Sequence, residues 1–395
     1  MKKYKLAYFI SHPIQYQVPL YKQITENSDI DLKVFFQSDI SLREFDDVGF
    51  GRKIKWDIDL LDGYNYQFLN VLKKDNNKLG LFSPIVTGIY SALKSQKWDA
   101  VWFHGYNNHS ILWAMLLCKM MKIPFFMRME SNLVNAPKGR FVKDLFINWI
   151  LKNAAGLLYV SSDNKNYYLE YSADKNKLFS VPYTVDNAFF QNKILEVKDE
   201  ILNTKKKIGL VEDYPIILYA SKLTTRKRST DLLNSFIKLS KDGKTPPNAY
   251  LVFIGDGEER ENLQKVISNL DWNSHIKMLG FKNQTELPLF FAMCDIFVLP
   301  SQNEPFGLIV NEVMNAAKPI IVTNEVGCAK DIIQDCENGY IIEPKDIEDL
   351  SSKLKILIDN KELREKMGKK SLEIINNWSY NEDIDGIREA LKNLK

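Results

Sequence analysis

The stretch D-I-F-V-L-P-S-Q-N-E-P-F-G-L-I-V-N-E, Asp295 to Glu312, decides the fold. Its apolar run, Ile296 to Leu299, is typical of a buried strand, and Leu308 to Ala317 predicts a helix. Pro305 and Gly307 indicate the loop between the two. Backbone N–H groups at such a helix start have no internal partner and can bind a polar ligand. The stretch therefore predicts a strand, a loop and a helix with a ligand at the turn.

Two carboxylates, Glu304 and Glu312, lie eight residues apart in this stretch. Glu304 is placed where a sugar could be held, and Glu312 lies about two helical turns further along. The alternative interpretation is structural, with one acid interacting with the helix dipole and the other on a solvated face. The short motif leaves both interpretations open, so the rest of the chain has to decide between them.

Length and composition describe a globular protein. The 395 residues suggest two or three domains, with 45% hydrophobic and 26% charged residues. A net charge of +3 is too small to indicate a nucleic-acid partner. Four cysteines without a CxxC pair and four histidines argue against structural zinc and fit a reducing cytoplasm.

Neither a signal peptide nor a membrane span is expected. The apolar run at the N-terminus is too short for a signal peptide, and no uncharged apolar stretch approaches the roughly 18 residues of a span. We therefore expect a soluble, cytoplasmic protein, which could still lie on a membrane surface.

Strands and helices alternate along the chain, which predicts two α/β halves, each with a parallel sheet covered on both faces. The polar, lysine-rich stretch 191–212 predicts a linker between domains 1–190 and 213–379. Strands are predicted at 4–10, 30–36, 98–103, 123–127, 156–160, 216–220, 250–254, 276–279, 296–299 and 320–322. Helices are predicted at 19–25, 111–121, 145–152, 230–239, 258–268, 308–317 and 381–394.

Basic residues follow strand 216–220, and ligands bind beyond the carboxyl ends of strands in open α/β sheets. The loop carries four cations, which suit a diphosphate, although a solvated loop is the more common fate of a charge run. These cations are Lys222, Arg226, Lys227 and Arg228.

Glycines follow the next two strands. Gly255 and Gly257 allow close approach of the backbone, or form a plain turn, and the third glycine of a dinucleotide fingerprint is absent. Gly280-Phe281 comes after strand 276–279. Together, these loops place cations, glycines that allow close backbone approach, and two acids at one edge of the sheet. Such a set of groups suits a nucleotide diphosphate joined to a polyol.

The order of these motifs resembles glycosyltransferase family 4, which are retaining enzymes of the GT-B fold. The shared order is a basic loop, G-x-G-x-E, an apolar-Gly-aromatic step, and E-x7-E with P-F-G inside it. V-P-Y-T-V-D, residues 181–186, followed by Phe189, resembles the family's hinge signature. The opening I-S-H-P-I-Q-Y-Q-V-P-L-Y and the later F-G-R-K-I-K-W-D-I-D-L-L-D-G-Y resemble a bacterial surface-polysaccharide subgroup.

The resemblance implies two Rossmann-like, doubly wound parallel-sheet domains that face each other across a cleft. The N-terminal domain would bind the acceptor and the C-terminal domain the nucleotide-sugar donor. The C-terminal helix, 380–395, would cross back onto the N-terminal domain.

The resemblance also implies the donor site. Glu304 would accept hydrogen bonds from the donor sugar, and Glu312 would bind the ribose hydroxyls. Lys227 matches the family lysine that neutralises the diphosphate, and Lys222 stands where the family usually has arginine, so bidentate phosphate contact is lost there. The remaining donor-binding residues are Gly255, Gly257, Phe281, Pro305, Phe306, Gly307 and Leu308.

In the N-terminal domain, His104 matches the histidine that the family places near the reacting carbon. The Gly-Gly of the family's first loop is absent, and His12-Pro13-Ile14-Gln15 takes its place. We predict His12 and Gln15 as acceptor-binding residues, together with Arg128 and Glu130, for which a structural ion pair is the alternative.

No metal and no cofactor are expected beyond a UDP-, GDP- or ADP-sugar as substrate. The D-x-D sequences, 57–59 and 383–385, lie outside the inferred site, so Lys222, Lys227 and the helix N-terminus would meet the charge of the leaving diphosphate. Same-face attack is favoured because no carboxylate of the second half is clearly aimed at the anomeric carbon. The leaving phosphate would then take the acceptor's proton while His104 orients the sugar.

The expected function is transfer of a sugar to a glycan or lipid-linked glycan in surface polysaccharide synthesis. The basic amphipathic segment 137–152 could make peripheral contact with the inner face of the cytoplasmic membrane, although the favoured alternative is an apolar face in the core with solvated cations. Two alternatives stay open, a nucleotide-sugar epimerase or phosphorylase on the same fold and a non-catalytic sugar-binding module.

Overall fold

The computed structural model describes residues 3–27, 29–47, 49–73, 79–136, 139, 141–241 and 243–394. The chain forms two compact units. Unit 1 consists of Met1–Phe45, Ile54–Asp186 and Trp378–Lys395, and unit 2 consists of Asp46–Lys53 and Asn187–Asn377.

The core of unit 1 is a parallel sheet of strands that carry mostly apolar residues. The order of its strands is β11-β10-β9-β8-β1-β2-β5, while β3 pairs with β4 and β6 pairs with β7. The strands before residue 187 are β1 (Tyr4–Ile10), β2 (Ile30–Phe36), β3 (Phe45–Asp47), β4 (Arg52–Ile54), β5 (Asn65–Phe68), β6 (Asn70–Lys73), β7 (Ile85–Thr87), β8 (Ala100–His104), β9 (Phe125–Arg128), β10 (Gly156–Tyr159) and β11 (Leu178–Ser180).

The sheet of unit 1 is doubly wound. From β1 the chain builds outward through β2 and β5, and then returns to the other side of β1 to add β8 and the later strands. The strand order therefore reverses between β1 and β8, which is where this class of sheet binds ligands. The helices before residue 187 are α1 (Val18–Asn27), α2 (Ile89–Lys94), α3 (His109–Met120), α4 (Phe141–Asn153) and α5 (Ser162–Glu170).

Unit 2 has the same plan. Its parallel strands lie in the order β14-β13-β12-β15-β16-β17, so the reversal falls between β12 and β15. These strands are β12 (Ile216–Ala220), β13 (Tyr250–Ile254), β14 (Ile276–Met278), β15 (Ile296–Leu299), β16 (Ile320–Thr323) and β17 (Gly339–Ile342). The next helices are α6 (Asn187–Glu196), α7 (Ile201–Lys207), α8 (Ser229–Lys238), α9 (Arg260–Leu270), α10 (Leu287–Met293), α11 (Leu308–Met314), α12 (Ala329–Ile332), α13 (Ile347–Asp359) and α14 (Lys361–Asn376).

The predicted α/β fold class is confirmed, because each unit is a Rossmann-like parallel sheet with helices. Helix α11 has seven residues and is shorter than predicted. Its C-cap is Asn315. The helix cannot continue through Ala317, because this residue has a positive φ of 54°, which lies outside the right-handed helical region.

The predicted linker, 191–212, is helical instead. Helices α6 and α7, with a 3₁₀ turn at Lys198–Glu200 between them, belong to unit 2. Phe190 of α6 packs against Phe291, with ring centroids 6.2 Å apart, so this stretch is held by apolar contacts despite its many lysines.

The last helix, α15 (Tyr380–Lys392), belongs to unit 1. It begins with a capping box, in which Ser379 and Glu382 each bind the other's backbone N–H. Its Ile384, Ile387 and Leu391 lie in the same buried cluster as Leu6 and Tyr8 of β1. The end of the chain therefore completes the core that the first strand begins.

Candidate functional site

In unit 2, the loops after β12 and β15 carry the residues that the sequence singles out. Lys227, in a 3₁₀ turn at Thr225–Lys227, forms a salt bridge with the Glu304 carboxylate. Each side chain is only 11% exposed. The structure thus joins directly the residue predicted for the diphosphate and the residue predicted for the sugar.

The other three cations of this loop are also paired. Arg228 makes two hydrogen bonds to Asp231, of 2.6 and 2.8 Å, and so fixes the start of α8. Arg226 donates to the carbonyl oxygen of Asn303 at 2.7 Å and lies 3.7 Å from Glu304. Arg228 is therefore committed to the fold, whereas Arg226 and Lys227 both lie beside the Glu304 carboxylate.

Lys222 is covered by the segment Asp46–Lys53. Its Nζ lies 2.7 and 3.0 Å from the two carboxylate oxygens of Asp47 and 4.7 Å from the centre of the Phe50 ring. An anion at Lys222 would have to compete with the Asp47 carboxylate.

The loop from Glu304 to Leu308 is fixed by its backbone. Glu304 N–H donates to the Glu325 carbonyl, and the Glu304 carbonyl accepts from Gly327 N–H, both at 3.0 Å. Among the described residues, nothing accepts a hydrogen bond from the N–H groups of Gly307 and Leu308. These two donors can bind an anion or a sugar oxygen.

The sides of this loop are closely packed. Gly307 has a φ of 95°, and a Cβ there would lie 2.8 Å from the Val326 side chain. Phe306 is buried, and the carbonyl of Pro305 approaches Gly327, where a Cβ would lie 2.0 Å from it. The backbone of this loop is therefore held in one position, as a preformed site requires.

Glu312 lies about one turn into α11 and is half-buried. Its carboxylate has no partner among the described residues, and desolvation raises its pKa to about 8. An acid without a partner at such a position can bind hydroxyl groups that a ligand brings.

The two glycines after β13 are required by the fold. A Cβ on Gly255 would lie 1.9 Å from the Ser221 carbonyl oxygen, and one on Gly257 would lie 2.5 Å from that of Leu223. Close approach of backbone to backbone thus accounts for both glycines without a ligand. Phe281 lies at the same edge, where its ring meets Phe50 edge to face at 4.9 Å.

In unit 1, His104 ends β8 beside the reversal of the strand order. Its Nε2 lies 3.0 Å from Glu130 Oε1, and its Nδ1 lies 3.4 Å from Gln17 Nε2. The Tyr183 hydroxyl donates to Glu130 Oε1 and lies 3.3 Å from His104 Nε2. The structure therefore brings two predicted residues together with Gln17 and Tyr183, which are not among the predicted site residues.

Arg128 lies in the core and does not reach an acceptor. It is 1% exposed, and its Nη2 donates to the carbonyls of Val181 and Pro182, both at 3.0 Å. The same nitrogen is 3.5 Å from Asp383, so the pair connects β9 to α15. Arg128 and Glu130 do not pair with each other as the structural alternative proposed, since Glu130 pairs with His104.

His12 and Gln15 lie in the loop after β1 and are half-buried. His12 Nδ1 is 2.8 Å from the Ser11 hydroxyl, whereas the Gln15 amide has no partner among the described residues. Gln15 is thus the more available of the two for a ligand.

Residues 200–373, which lie within unit 2, match the family model described as glycosyl transferases group 1. An uncharacterized glycosyltransferase of Methanocaldococcus jannaschii is 26% identical over 285 residues, which cover 71% of each chain. The protein is a glycosyltransferase.

Solved structures agree on the fold of this glycosyltransferase. A glycosyltransferase from Rickettsia africae matches with a TM-score of 0.76 at 19% identity, over 100% of this chain and 99% of the other. Anabaena HepE, solved in complex with UDP, matches with a TM-score of 0.75 at 14% identity and covers 99% of each chain. At these identities the likeness shows the GT-B fold alone.

Among the residues that the structure describes, no three His, Cys, Asp or Glu side chains of the glycosyltransferase are grouped to hold a metal ion. In the D-x-D at 383–385, Asp383 is buried against Arg128 and Asp385 pairs with Arg388. Both acids therefore serve the fold of unit 1.

Within the described part of the chain, the glycosyltransferase has no helix with the length and apolar character to cross a bilayer. The predicted basic segment 137–152 begins with Pro137, Lys138 and Arg140, which lie outside the described residues. Its remainder forms α4, whose Phe141 and Val142 are exposed while Ile147 and Ile150 are buried.

Proposed function

We propose that this glycosyltransferase moves a sugar from a nucleotide-sugar donor to a glycan or lipid-linked glycan acceptor, with retention of the anomeric configuration and without a metal. Unit 2 would bind the donor and unit 1 the acceptor. The reaction would serve surface polysaccharide synthesis at the inner face of the cytoplasmic membrane.

The observation that carries this proposal is the Lys227–Glu304 pair beside the unused N–H groups of Gly307 and Leu308. A cation and two N–H donors suit the phosphates, while the carboxylate suits sugar hydroxyls. Complexes of Anabaena HepE with UDP and with UDP-glucose support the choice of nucleotide sugars, because that protein shares this fold.

The leaving diphosphate would be stabilised by Lys227 and these N–H groups, which are fixed before the ligand arrives. The acceptor hydroxyl would attack the face from which the diphosphate departs, so its oxygen bonds to the anomeric carbon as the bond to phosphate breaks. Its proton would pass to the leaving phosphate oxygen.

A panel of UDP-, GDP- and ADP-sugars tests this proposal in excess EDTA. We expect one nucleotide class to raise the melting temperature and its sugar to be transferred with retained configuration, as seen by NMR of the product. Glu304→Gln should lower turnover at least about tenfold, or roughly 1.4 kcal/mol. Glu337→Gln, at an exposed glutamate of the same unit, should have no effect.

Transfer that is abolished by EDTA and restored by Mg²⁺ or Mn²⁺ would overturn the metal-free part of the proposal. If a folded Glu304→Gln protein kept the wild-type turnover, Glu304 would not bind the donor sugar as proposed.

A further inference from the structure

A chain of hydrogen bonds in unit 1 runs from two buried tyrosines to an exposed carboxylate. The hydroxyls of Tyr8 and Tyr21 donate to Gln17 Oε1, at 2.8 and 2.7 Å. Gln17 Nε2 then faces His104 Nδ1 at 3.4 Å, and His104 Nε2 faces Glu130 Oε1 at 3.0 Å. Each link fixes the direction of the next one.

The tyrosines fix the orientation of the Gln17 amide. Burial raises the pKa of Tyr8 and that of Tyr21, so both remain phenols with a proton to donate. With its oxygen occupied by the two hydroxyls, Gln17 turns its NH₂ group toward the imidazole. An amide NH₂ only donates, so His104 Nδ1 must accept.

This arrangement decides which ring nitrogen carries the proton. A neutral imidazole that accepts at Nδ1 carries its proton at Nε2. That proton points at the Glu130 carboxylate, whereas a bare Nε2 would set a lone pair against a negative charge. Both nitrogens of His104 are therefore used within the protein.

Glu130, in contrast, keeps one oxygen open. Its Oε1 accepts from His104 and Tyr183, and the Tyr16 hydroxyl lies 3.5 Å away. Its Oε2 has no partner among the described residues. The Glu130 side chain is 44% exposed and that of His104 only 9%, so the carboxylate is what a ligand can reach.

We propose that Glu130 Oε2 accepts a hydrogen bond from a hydroxyl of the acceptor sugar, and that His104 and Gln17 are positioning residues that direct it. The inference rests on the proposed function and makes it more specific. It assigns the contact with the acceptor to Glu130. His104 then acts only through its hydrogen bond to Glu130.

The charge state of Glu130 suits binding better than proton removal. Desolvation would raise the pKa of Glu130, but the hydrogen bonds from His104 and Tyr183 and the Arg128 charge outweigh it and hold the pKa below its usual value. So weak a base holds a hydroxyl without taking its proton. The proton of the acceptor is then left for the departing phosphate.

The proton arrangement can be tested without activity. ¹⁵N NMR of the imidazoles reports which nitrogen is protonated, and His104→Gln assigns the signal among the four histidines. We expect a protonated Nε2 and a bare Nδ1 for His104 in the wild type. In Gln17→Glu, a carboxylate replaces the NH₂ donor, so the proton should move to Nδ1 or a second one should be added there.

Binding of a sugar is measured with methyl glycosides of glucose, galactose, mannose and N-acetylglucosamine by saturation-transfer NMR. We expect at least one to bind, and Glu130→Gln to weaken it about tenfold, because an NH₂ group then replaces Oε2. Gln17→Glu should weaken it as well where the proton moves to Nδ1, because Glu130 then faces a bare Nε2. Glu26→Gln, at an exposed glutamate of unit 1, is the matched control.

Calorimetry of UDP, GDP and ADP with the same proteins separates the two proposals. Unchanged nucleotide binding with weakened glycoside binding supports the inference, whereas a wild type that binds no nucleotide refutes the proposed function. A protonated Nδ1 in the wild type, no glycoside bound by the wild type, or full glycoside binding by Glu130→Gln would each overturn the role of Glu130.

Discussion

At the scale of single residues, the proposed donor site depends on the Lys227–Glu304 pair. Both side chains are nearly enclosed, so removing Glu304 leaves the buried Lys227 charge without compensation, whereas removing Lys227 leaves Glu304 with only Arg226 at 3.7 Å. A ligand that separates them must offer an anion to Lys227 and hydroxyl donors to Glu304. Phosphate and sugar in one molecule meet both demands.

Replacing Lys227 should weaken binding of a nucleoside diphosphate far more than that of the nucleoside. Lys227→Gln keeps a donor for Glu304 but removes the charge, so UDP should bind at least about tenfold more weakly while uridine is spared. Added salt should weaken UDP binding by the wild type more than by the variant, because screening acts on the charge that was removed.

Calorimetry with UDP and uridine, or with the base that the panel identifies, measures both affinities. Lys265→Gln replaces an exposed lysine of the same unit and should change neither. Equal losses for UDP and uridine would place Lys227 away from the phosphates.

Glu312 should release a proton when a nucleotide binds. Because its pKa is raised to about 8, its carboxyl is mostly protonated in the free protein at pH 7. Ribose hydroxyls that donate to it favour the charged form and lower the pKa. Titration of UDP in buffers of different ionisation enthalpy should show release of close to one proton, and none in Glu312→Gln.

The same shift makes stability depend on pH. Between about 4.5 and about 8 the folded state binds more protons at Glu312 than the unfolded state does. The free energy of unfolding therefore falls as the pH rises through this range. Glu312→Gln should flatten that part of the curve, and Glu337→Gln should not. If the wild-type protein released no proton when UDP binds, Glu312 would not be the residue that binds the ribose hydroxyls.

At the scale of elements, the sequence predicts buried strands well. Strands β12, β13 and β15 have the predicted bounds, because parallel strands covered on both faces are continuous apolar runs with clear ends. Helices α13 and α14 were not among the predictions, since most of their residues are charged or polar. Leu350, Leu354 and Leu357, all buried, give the helical spacing that indicates α13.

The sequence could not predict which charged side chains of distant elements form ion pairs. Lys222 meets Asp47 across 175 residues, and Arg128 meets Asp383 across 255. No local pattern distinguishes such cations from solvated ones, because the partner is brought near only by the sheet order. The strand-end positions of Glu304 and His104 were predictable, whereas their partners Lys227, Glu130 and Gln17 follow from the fold.

At the scale of the whole molecule, unit 1 is built from distant parts of the chain. Helix α15 covers the sheet so closely that a Cβ on Gly386 would lie 1.7 Å from the Ser180 carbonyl oxygen. The Asp383 carboxylate accepts from the Thr184 hydroxyl at 2.6 Å and lies beside Arg128. The core of unit 1 therefore joins β1, early in the chain, to α15, late in the chain.

Shortening one apolar side chain of α15 should destabilise unit 1 in particular. Ile387 is fully buried in the cluster that contains β1, so Ile387→Ala should cost about 2–5 kcal/mol through lost burial and the cavity left behind. Ile356→Ala, at an isoleucine of α13 that is 42% exposed, should cost far less. Native-state hydrogen exchange measures the effect element by element. We expect Ile387→Ala to lower the protection of amides in β1 and β10 while those in β12 and β13 keep theirs. Unchanged protection of β1 would show that α15 lies on unit 1 without supporting its core.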